Sequence, residues 1–305
     1  MTPRPPADIE GVSWRPITPD DAAAVHELVG AVERFDDLPF AATIEEIRAE
    51  MADPTGDLAR DSMGGFAADG RLACYGHVRM RATATRRRMV NLDGHVHPEW
   101  RRRGLGGQVM AWSEERARQR LAESVTPETA GVPAFMEVWS DVRMADRRAL
   151  FELRGYAPVR WYEDMRRPLD AALADVPLPA GLRLVGWSAA DDDDYRRAHN
   201  EAFLDHWGSE PLTAAEWHHH FTGSPNFRPE LTIGAHDGRR IVAYVIGYHS
   251  PADTAVTGRS EGWLGQVGTL REWRGKGAAS ALMVEAMRRM KAAGMTHAAL
   301  DVDSD

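Results

Sequence analysis

The sequence predicts an α+β fold made of two similar domains, each a mixed, mostly antiparallel sheet flanked by helices. Three observations predict it. A strand–helix–helix–hairpin–strand–helix–strand order can be read twice along the chain. Two segments rich in arginine and glycine, Arg101–Gly107 and Arg274–Ser280, recur at an offset of 173, each between a strand-like and a helix-like run. The length, 305 residues, is that of two complete domains rather than a solenoid.

The elements follow in parallel. Val12–Ile17 and Leu182–Trp187 read as short opening strands. Acidic starts and apolar periodicity then predict helices over Asp20–Val32 and Asp191–Leu204. Short second helices are expected near Thr43–Met51 and Thr213–Phe221, where each threonine has a glutamate three residues later to complete a capping box. Asp69-Gly70 and Asp237-Gly238 predict hairpin turns between Gly65–Ala68 and Leu72–Met80, and between Leu231–Ala235 and Ile241–Tyr248. Strands Met89–Val96 and Trp263–Thr269 lead into the repeated segments. Helices Gly104–Leu121 and Gly277–Ala293 leave them, followed by strands Ala134–Ser140 and His297–Val302. In the first half a helix, Met144–Arg154, and a strand, Tyr156–Pro168, come after these. The expected domains are 1–172 and 182–305, joined by a linker over 173–181 that contains two prolines and ends in a glycine. While 66 residues separate Gly104 from Asp170, 28 follow Gly277. Allowing for the longer loop at 124–133, the second domain is expected to be truncated by about 25–30 residues, with an unpaired sheet edge near Asp305.

Composition narrows the function. There are 37 Lys and Arg against 46 Asp and Glu, a net charge of −9, which argues against a general nucleic-acid binder. No apolar run is long enough to span a bilayer, and Met1–Pro6 lacks a signal-peptide core. Cys74 is the single cysteine, so an internal disulfide and a cysteine-rich zinc site are excluded; its apolar strand predicts an inert buried thiol. A cytoplasmic enzyme without a metal is the expectation. His218-His219-His220 on a helix point in different directions, so they read as a surface helix and not a metal site. Arg86-Arg87-Arg88 reads as a solvated turn.

The repeated segment carries chemistry. A helix N-terminus presents unpaired N–H groups and positive dipole, and glycines let an anion approach the backbone. Arg101, Arg102 and Arg103 in the first copy, and Arg274 and Lys276 in the second, add positive charge to a pyrophosphate cradle. Neither a dinucleotide fingerprint nor a Walker loop is present.

Arg101-Arg102-Arg103-Gly104-Leu105-Gly106 and Arg274-Gly275-Lys276-Gly277-Ala278-Ala279 resemble the acetyl-CoA signature Gln/Arg-x-x-Gly-x-Gly/Ala of GNAT N-acetyltransferases. Ala149–Tyr156 is similar to that family's late "LYExxGF" segment, and two such domains resemble its tandem members. The resemblance implies acetyl-CoA as cosubstrate and a small-molecule primary amine as acceptor. It implies that Gly94, His95 and Val96 pair with the pantetheine arm like an added strand, as do Val267, Gly268 and Thr269. The pyrophosphate would lie on amides of Arg102 to Gly107, Leu105 and Gly106 among them, and of Gly275, Lys276, Gly277, Ala278, Ala279 and Ser280. Phe151 stands where many members carry a tyrosine acid, so chemistry is expected in the second domain.

Candidate bases are Asp93 and His95, on one face of the strand entering the first motif, and Glu261, acting through a water in the second domain. Asp205, His206 and Glu210, beside Trp207, are candidates for holding a cationic acceptor. Two other readings compete: an acyl-CoA-binding module without turnover, and acetylation of protein amines.

Overall fold

The computed structural model describes residues 3–7, 9–81 and 86–304. The chain forms two compact units, Met1–Ala157 and Pro158–Asp305.

The first unit holds a five-stranded sheet in the order β1-β2-β3-β4-β5. Its strands are β1 (Val12–Arg15), β2 (Ser62–Ala67), β3 (Leu72–Met80), β4 (Arg88–Val96) and β5 (Ala134–Glu137). The Asp69-Gly70 turn forms as expected, with Gly70 at φ +86°. Helix α1 (Ala22–Phe35) buries Val25, Leu28, Val29 and Val32 against Phe66 and Tyr75, together with Ile47 of α2 (Ile44–Met51). A short α3 (Leu58–Asp61) precedes β2, and α5 (Ala145–Leu153) follows β5. Helix α4 (Leu105–Glu123) packs Met110, Trp112 and Ala117 against Val78, Val90 and Leu92. Arg88 is not part of a solvated turn. It opens β4, is buried, and donates to the carbonyls of Val132 (3.2 Å) and Leu121 (2.9 Å), tying the end of α4 to the sheet.

One register detail positions the site. β3 and β4 pair antiparallel without interruption from Cys74↔Val96 to Met80↔Val90. β4 and β5 pair in parallel only from Arg88↔Ala134 to Asn91↔Glu137. From Leu92 onward the outer edge of β4 has no strand beside it among the described residues.

The second unit repeats this plan with six strands in the order β6-β11-β10-β9-β8-β7. They are β6 (Tyr162–Pro168), β7 (Arg183–Gly186), β8 (Ile233–His236), β9 (Ile241–His249), β10 (Glu261–Thr269) and β11 (His297–Asp303). Its helices are α6 (Asp192–Ala202), α7 (Ala214–Trp217) running into a π-helical turn His218–Thr222, α8 (Pro251–Thr257) and α9 (Ala278–Ala292). β10 pairs with β11 in parallel over three residues, Glu261↔His297 to Trp263↔Ala299, and then diverges. Its register on β9 slips between Leu264 and Gln266, a bulge at Gly265. A Cβ at Gly265 would run into the Tyr248 ring.

Two expectations change here. The strand expected over Tyr156–Pro168 in the first domain forms only over Tyr162–Pro168, and it pairs antiparallel with β11 along its whole length, from Tyr162↔Asp303 to Pro168↔His297. The edge expected to be bare near Asp305 is therefore covered, and the units divide at Ala157, not at 172. The stretch read as a linker belongs to the second unit. Leu169 is buried in that unit's core, and Leu173, Val176, Leu178 and Leu182 pack against it. Among the described residues no helix is long and apolar enough to cross a membrane.

Candidate active site

The repeated segments form the same loop twice. A short 3-10 turn, Pro98–Trp100 or Arg271–Trp273, delivers the chain to Arg101 or Arg274. Left-handed residues then alternate with right-handed or extended ones: Arg102 (φ +63°) and Gly104 (φ +86°) in the first copy, Gly275 (φ +72°) and Gly277 (φ +89°) in the second. Gly104 and Gly277 are the N-caps of α4 and α9. The first helical bonds run from Gln108 to Gly104 (3.2 Å) and from Ala281 to Gly277 (3.0 Å). The amides of Leu105, Gly106 and Gly107, and of Ala278, Ala279 and Ser280, thus lie in first turns that have no intrahelical acceptor. Such a run of convergent N–H groups is an anion-binding nest. The cations flank it rather than fill it: Arg103 stacks on Trp100 at 4.8 Å and Lys276 on Trp273 at 4.9 Å.

The first arginine of each motif is turned away from the nest. Arg101 donates to the Val96 carbonyl (3.5 Å) and forms a bidentate pair with Asp36, just beyond α1, at 2.9 and 2.7 Å. Arg274 repeats this with the Thr269 carbonyl (3.1 Å), the Ala202 carbonyl (2.7 Å) and Asp205 (3.3 Å). Asp205 is thereby engaged by the loop, with Arg271 a further 3.6 Å partner. His206 contacts the Trp207 carbonyl through Nδ1 (2.8 Å), and Glu210 is buried.

Both nests lie beside a diverging strand. In an antiparallel pair, backbone groups point alternately toward and away from the partner. The His97 amide bonds to Ala73 on β3 (2.9 Å), so Gly94 and Val96 face the open edge of β4. The Leu270 amide bonds to Val242 (2.9 Å), so Val267 and Thr269 face the open edge of β10. His95 and Gly268 point the other way along the backbone. The two edges differ in one respect. The Gly94 carbonyl accepts a 2.6 Å bond from Arg147 Nη2, on α5.

A cleft of about 320 Å³ opens here in the first unit, lined by Asp93, Gly94, His95, Gly104, Gly106, Arg147 and Phe151 among others. His95 stacks on Tyr75 at 5.8 Å, and its Nδ1 lies 3.0 Å from Arg147 Nη2. Guanidinium has no acceptor, so Nδ1 accepts and the neutral ring carries its proton on Nε2. Burial, reinforced by Arg147, lowers the His95 pKa to about 4. His95 is therefore a neutral hydrogen-bond donor rather than the expected base. Burial alone would raise the Asp93 pKa, but His95, Arg79, Arg147 and the Gly94 amide outweigh it and hold the carboxyl well below its usual range. Glu261 stands at the paired start of β10, buried, accepting from Arg166 (3.1 Å) and Arg259 (2.6 Å). Both of its carboxylate oxygens are engaged by guanidinium groups. Cys74 is buried and burial pushes its thiol up to about 12, as an inert cysteine requires. No cluster of potential metal ligands occurs among the described residues. Sequence reasoning missed Arg147 and Asp36, which sit in ordinary charged stretches with no motif to mark them.

The sequence profile of the acetyltransferase (GNAT) family matches residues 192–305. A mycothiol acetyltransferase of Frankia alni is 27% identical over 285 residues, covering 84% of this chain and 81% of the relative. One from Mycobacterium avium is 31% identical over 198 residues, 63% of this chain and 56% of that one. A GCN5-related N-acetyltransferase from Sphaerobacter thermophilus superposes with a TM-score of 0.72 at 26% identity, covering 98% of this chain and 89% of that structure. A tandem GNAT protein from the clavulanic acid biosynthesis pathway shares the fold, with a TM-score of 0.63 at 16% identity over 96% of this chain and 90% of that one. Two diverging sheets, each with an amide nest at the divergence, define an acyltransferase of tandem architecture. Residues 192–305 form a GNAT acetyltransferase domain, and over most of its length the chain is similar to mycothiol acetyltransferases and to a GCN5-related N-acetyltransferase.

Proposed function

We propose that the protein transfers an acetyl group from acetyl-CoA to the primary amine of a small molecule, and that the second unit does the chemistry. The acceptor we favour is of the mycothiol type, because that name is carried by relatives matching 84% of the chain. The observation that carries the assignment to the second unit is its open edge. Val267 faces it, and among the described residues no side chain hydrogen-bonds its backbone, next to the nest at Gly275–Ser280 and the bulge at Gly265. In the first unit Arg147 covers the matching carbonyl, and Phe151, which has no proton to give, lines the cleft.

Bound there, acetyl-CoA would supply a thioester whose acyl carbon accepts the amine nitrogen while the C–S bond breaks, the proton lost by the amine ending on the departing sulfur so that CoA leaves as the thiol. The chain's own part is to hold and orient. The first-turn amides of α9 fit two phosphates, and the Val267 backbone fits an extended amide-bearing arm. Arg274 and Asp205 keep loop and strand in register. Asp93, His95 and Glu261 are not assigned the base in this reading.

The test is thiol release from acetyl-CoA over a panel of small amines and a peptide amine, with full-length protein. Gly277→Glu, which puts a charged side chain at a left-handed N-cap, should lower turnover at least about tenfold, the equivalent of one lost charge-assisted contact. Gly104→Glu should leave activity measurable. Turnover that survives the first change and disappears with the second reverses the assignment. Turnover on the peptide amine alone replaces the acceptor class.

A further inference from the structure

The charges in the first unit's cleft do not all pair. Six line it: Asp36, Asp93, Asp146, Arg101, Arg102 and Arg147. Four are matched, Arg101 with Asp36 and Arg102 with Asp146. Asp93 and Arg147 interact electrostatically, yet neither forms an ion pair among the described residues. Arg79, the other cation near Asp93, is 3.7 Å from Glu50. Arg147 uses Nη2 on the Gly94 carbonyl and on His95, which leaves the N–H groups of Nε and Nη1 without a protein partner among the described residues. A carboxylate and a guanidinium kept apart in one cleft are costly unless something completes them.

We propose that this cleft binds a free α-amino acid with an apolar side chain, its ammonium group on Asp93 and its carboxylate on Arg147. The two protein charges match a zwitterion in sign and number, and a singly charged ligand would leave one of them unanswered. Part of the wall is apolar, formed by Val32, Met110, Met144, Leu150 and Phe151, so an aliphatic side chain has a place to lie. The volume, about 320 Å³, suits a small ligand. Asp93 would repel phosphate, and Arg147 already occupies the Gly94 carbonyl, so the same geometry disfavours a pantetheine arm. This site is separate from acetyl transfer in the second unit and does not depend on it.

Calorimetric titration of the full-length protein tests the proposal with three related probes. They are L-leucine, 3-methylbutylamine (leucine without its carboxylate) and 4-methylpentanoate (leucine without its ammonium). Leucine should bind one per chain, with each monofunctional probe at least about tenfold weaker, because each loses one charge-assisted contact. Asp93→Asn and Arg147→Gln should each weaken leucine by about 10- to 100-fold. Leucine binding should be unchanged in Gly277→Glu, whatever that variant does to acetyl transfer. The wild-type comparison needs no variant to fold. Absence of leucine binding, equal binding of either monofunctional probe, or loss of leucine binding in Gly277→Glu overturns the proposal.

Discussion

Removing Arg101 separates two roles for the first arginine of the motif. If it serves the cosubstrate, its loss weakens ligand binding and leaves the free protein intact. The structure gives it another role, since its guanidinium makes a bidentate pair with Asp36 at 2.9 and 2.7 Å, with the side chains 16% and 8% exposed. Breaking a fully buried ion pair costs about 3–5 kcal/mol because a charge is left uncompensated. With this residual exposure the lower end applies, about 3 kcal/mol for Arg101→Ala. For a unit of this size each kcal/mol moves Tm by about 2–4 °C, so the first unit should melt about 6–12 °C earlier. Asp36→Asn should have a similar effect, and the double variant should be much less than additive, because the second change removes the orphaned partner. The assay is calorimetric unfolding without ligand, with hydrogen exchange of β4 and α4 to show which unit opens. Unfolding unchanged within about 0.5 kcal/mol, together with a tenfold loss of acetyl-CoA affinity, would refute the structural role.

Arg102 holds φ +63°, where its counterpart in the second loop is Gly275. Arg102→Gly should therefore raise the stability of the first unit by up to about 1 kcal/mol in chemical denaturation. His77 and His95 are both lowered to about 4, chiefly by burial. Between pH 6.5 and 4 the unfolded chain takes up protons that the folded one refuses, so stability is full above pH 6.5 and falls toward pH 4. The loss is about 3 kcal/mol per histidine at most, readable as a falling urea midpoint. Asp93, held low, adds its own loss only below about pH 4. Cys74 should resist thiol reagents at pH 8 until the chain is unfolded, since its thiol is pushed up to about 12 and is buried.

Local chemistry made much of this legible. The two capping boxes, at Thr43 with Glu46 and at Thr213 with Glu216, form as the spacing predicts. Gly238 takes the left-handed turn at φ +95°, and Gly104 and Gly277 open the helices they were expected to open. Each of these depends on residues within one turn of each other. What escaped depends on distant partners. Tyr162–Pro168 carries four charges and has no apolar alternation, because it is an exposed edge strand; nothing in it names β11, more than 120 residues away, as its partner. The stretch 173–181 looks like a linker by its prolines, yet Val176 and Leu178 are anchored by a core formed later in the chain. Glu261 reads as a base beside a motif; Arg259 is two residues away, but only the fold brings Arg166, 95 residues away, onto it. Arg147 is one of two adjacent arginines on α5, and helical phase alone sends it to Gly94.

The pairing of β6 with β11 fixes when each unit can form during synthesis. β6 and β7 are consecutive in the chain but lie at opposite edges of one sheet, so 169–182 spans its full width. The first unit has all its strands once Glu137 has been made. The second cannot close until Asp303 has been made, which is 135 residues after Pro168. At about 5–20 residues per second that is a wait of about 7–27 s. For that time β6 is a finished strand without its neighbour, and the four charges along it, Glu163, Asp164, Arg166 and Arg167, are of the kind that discourage pairing with another chain. The composition that hid this strand from sequence reading is thus what lets the growing chain carry it safely.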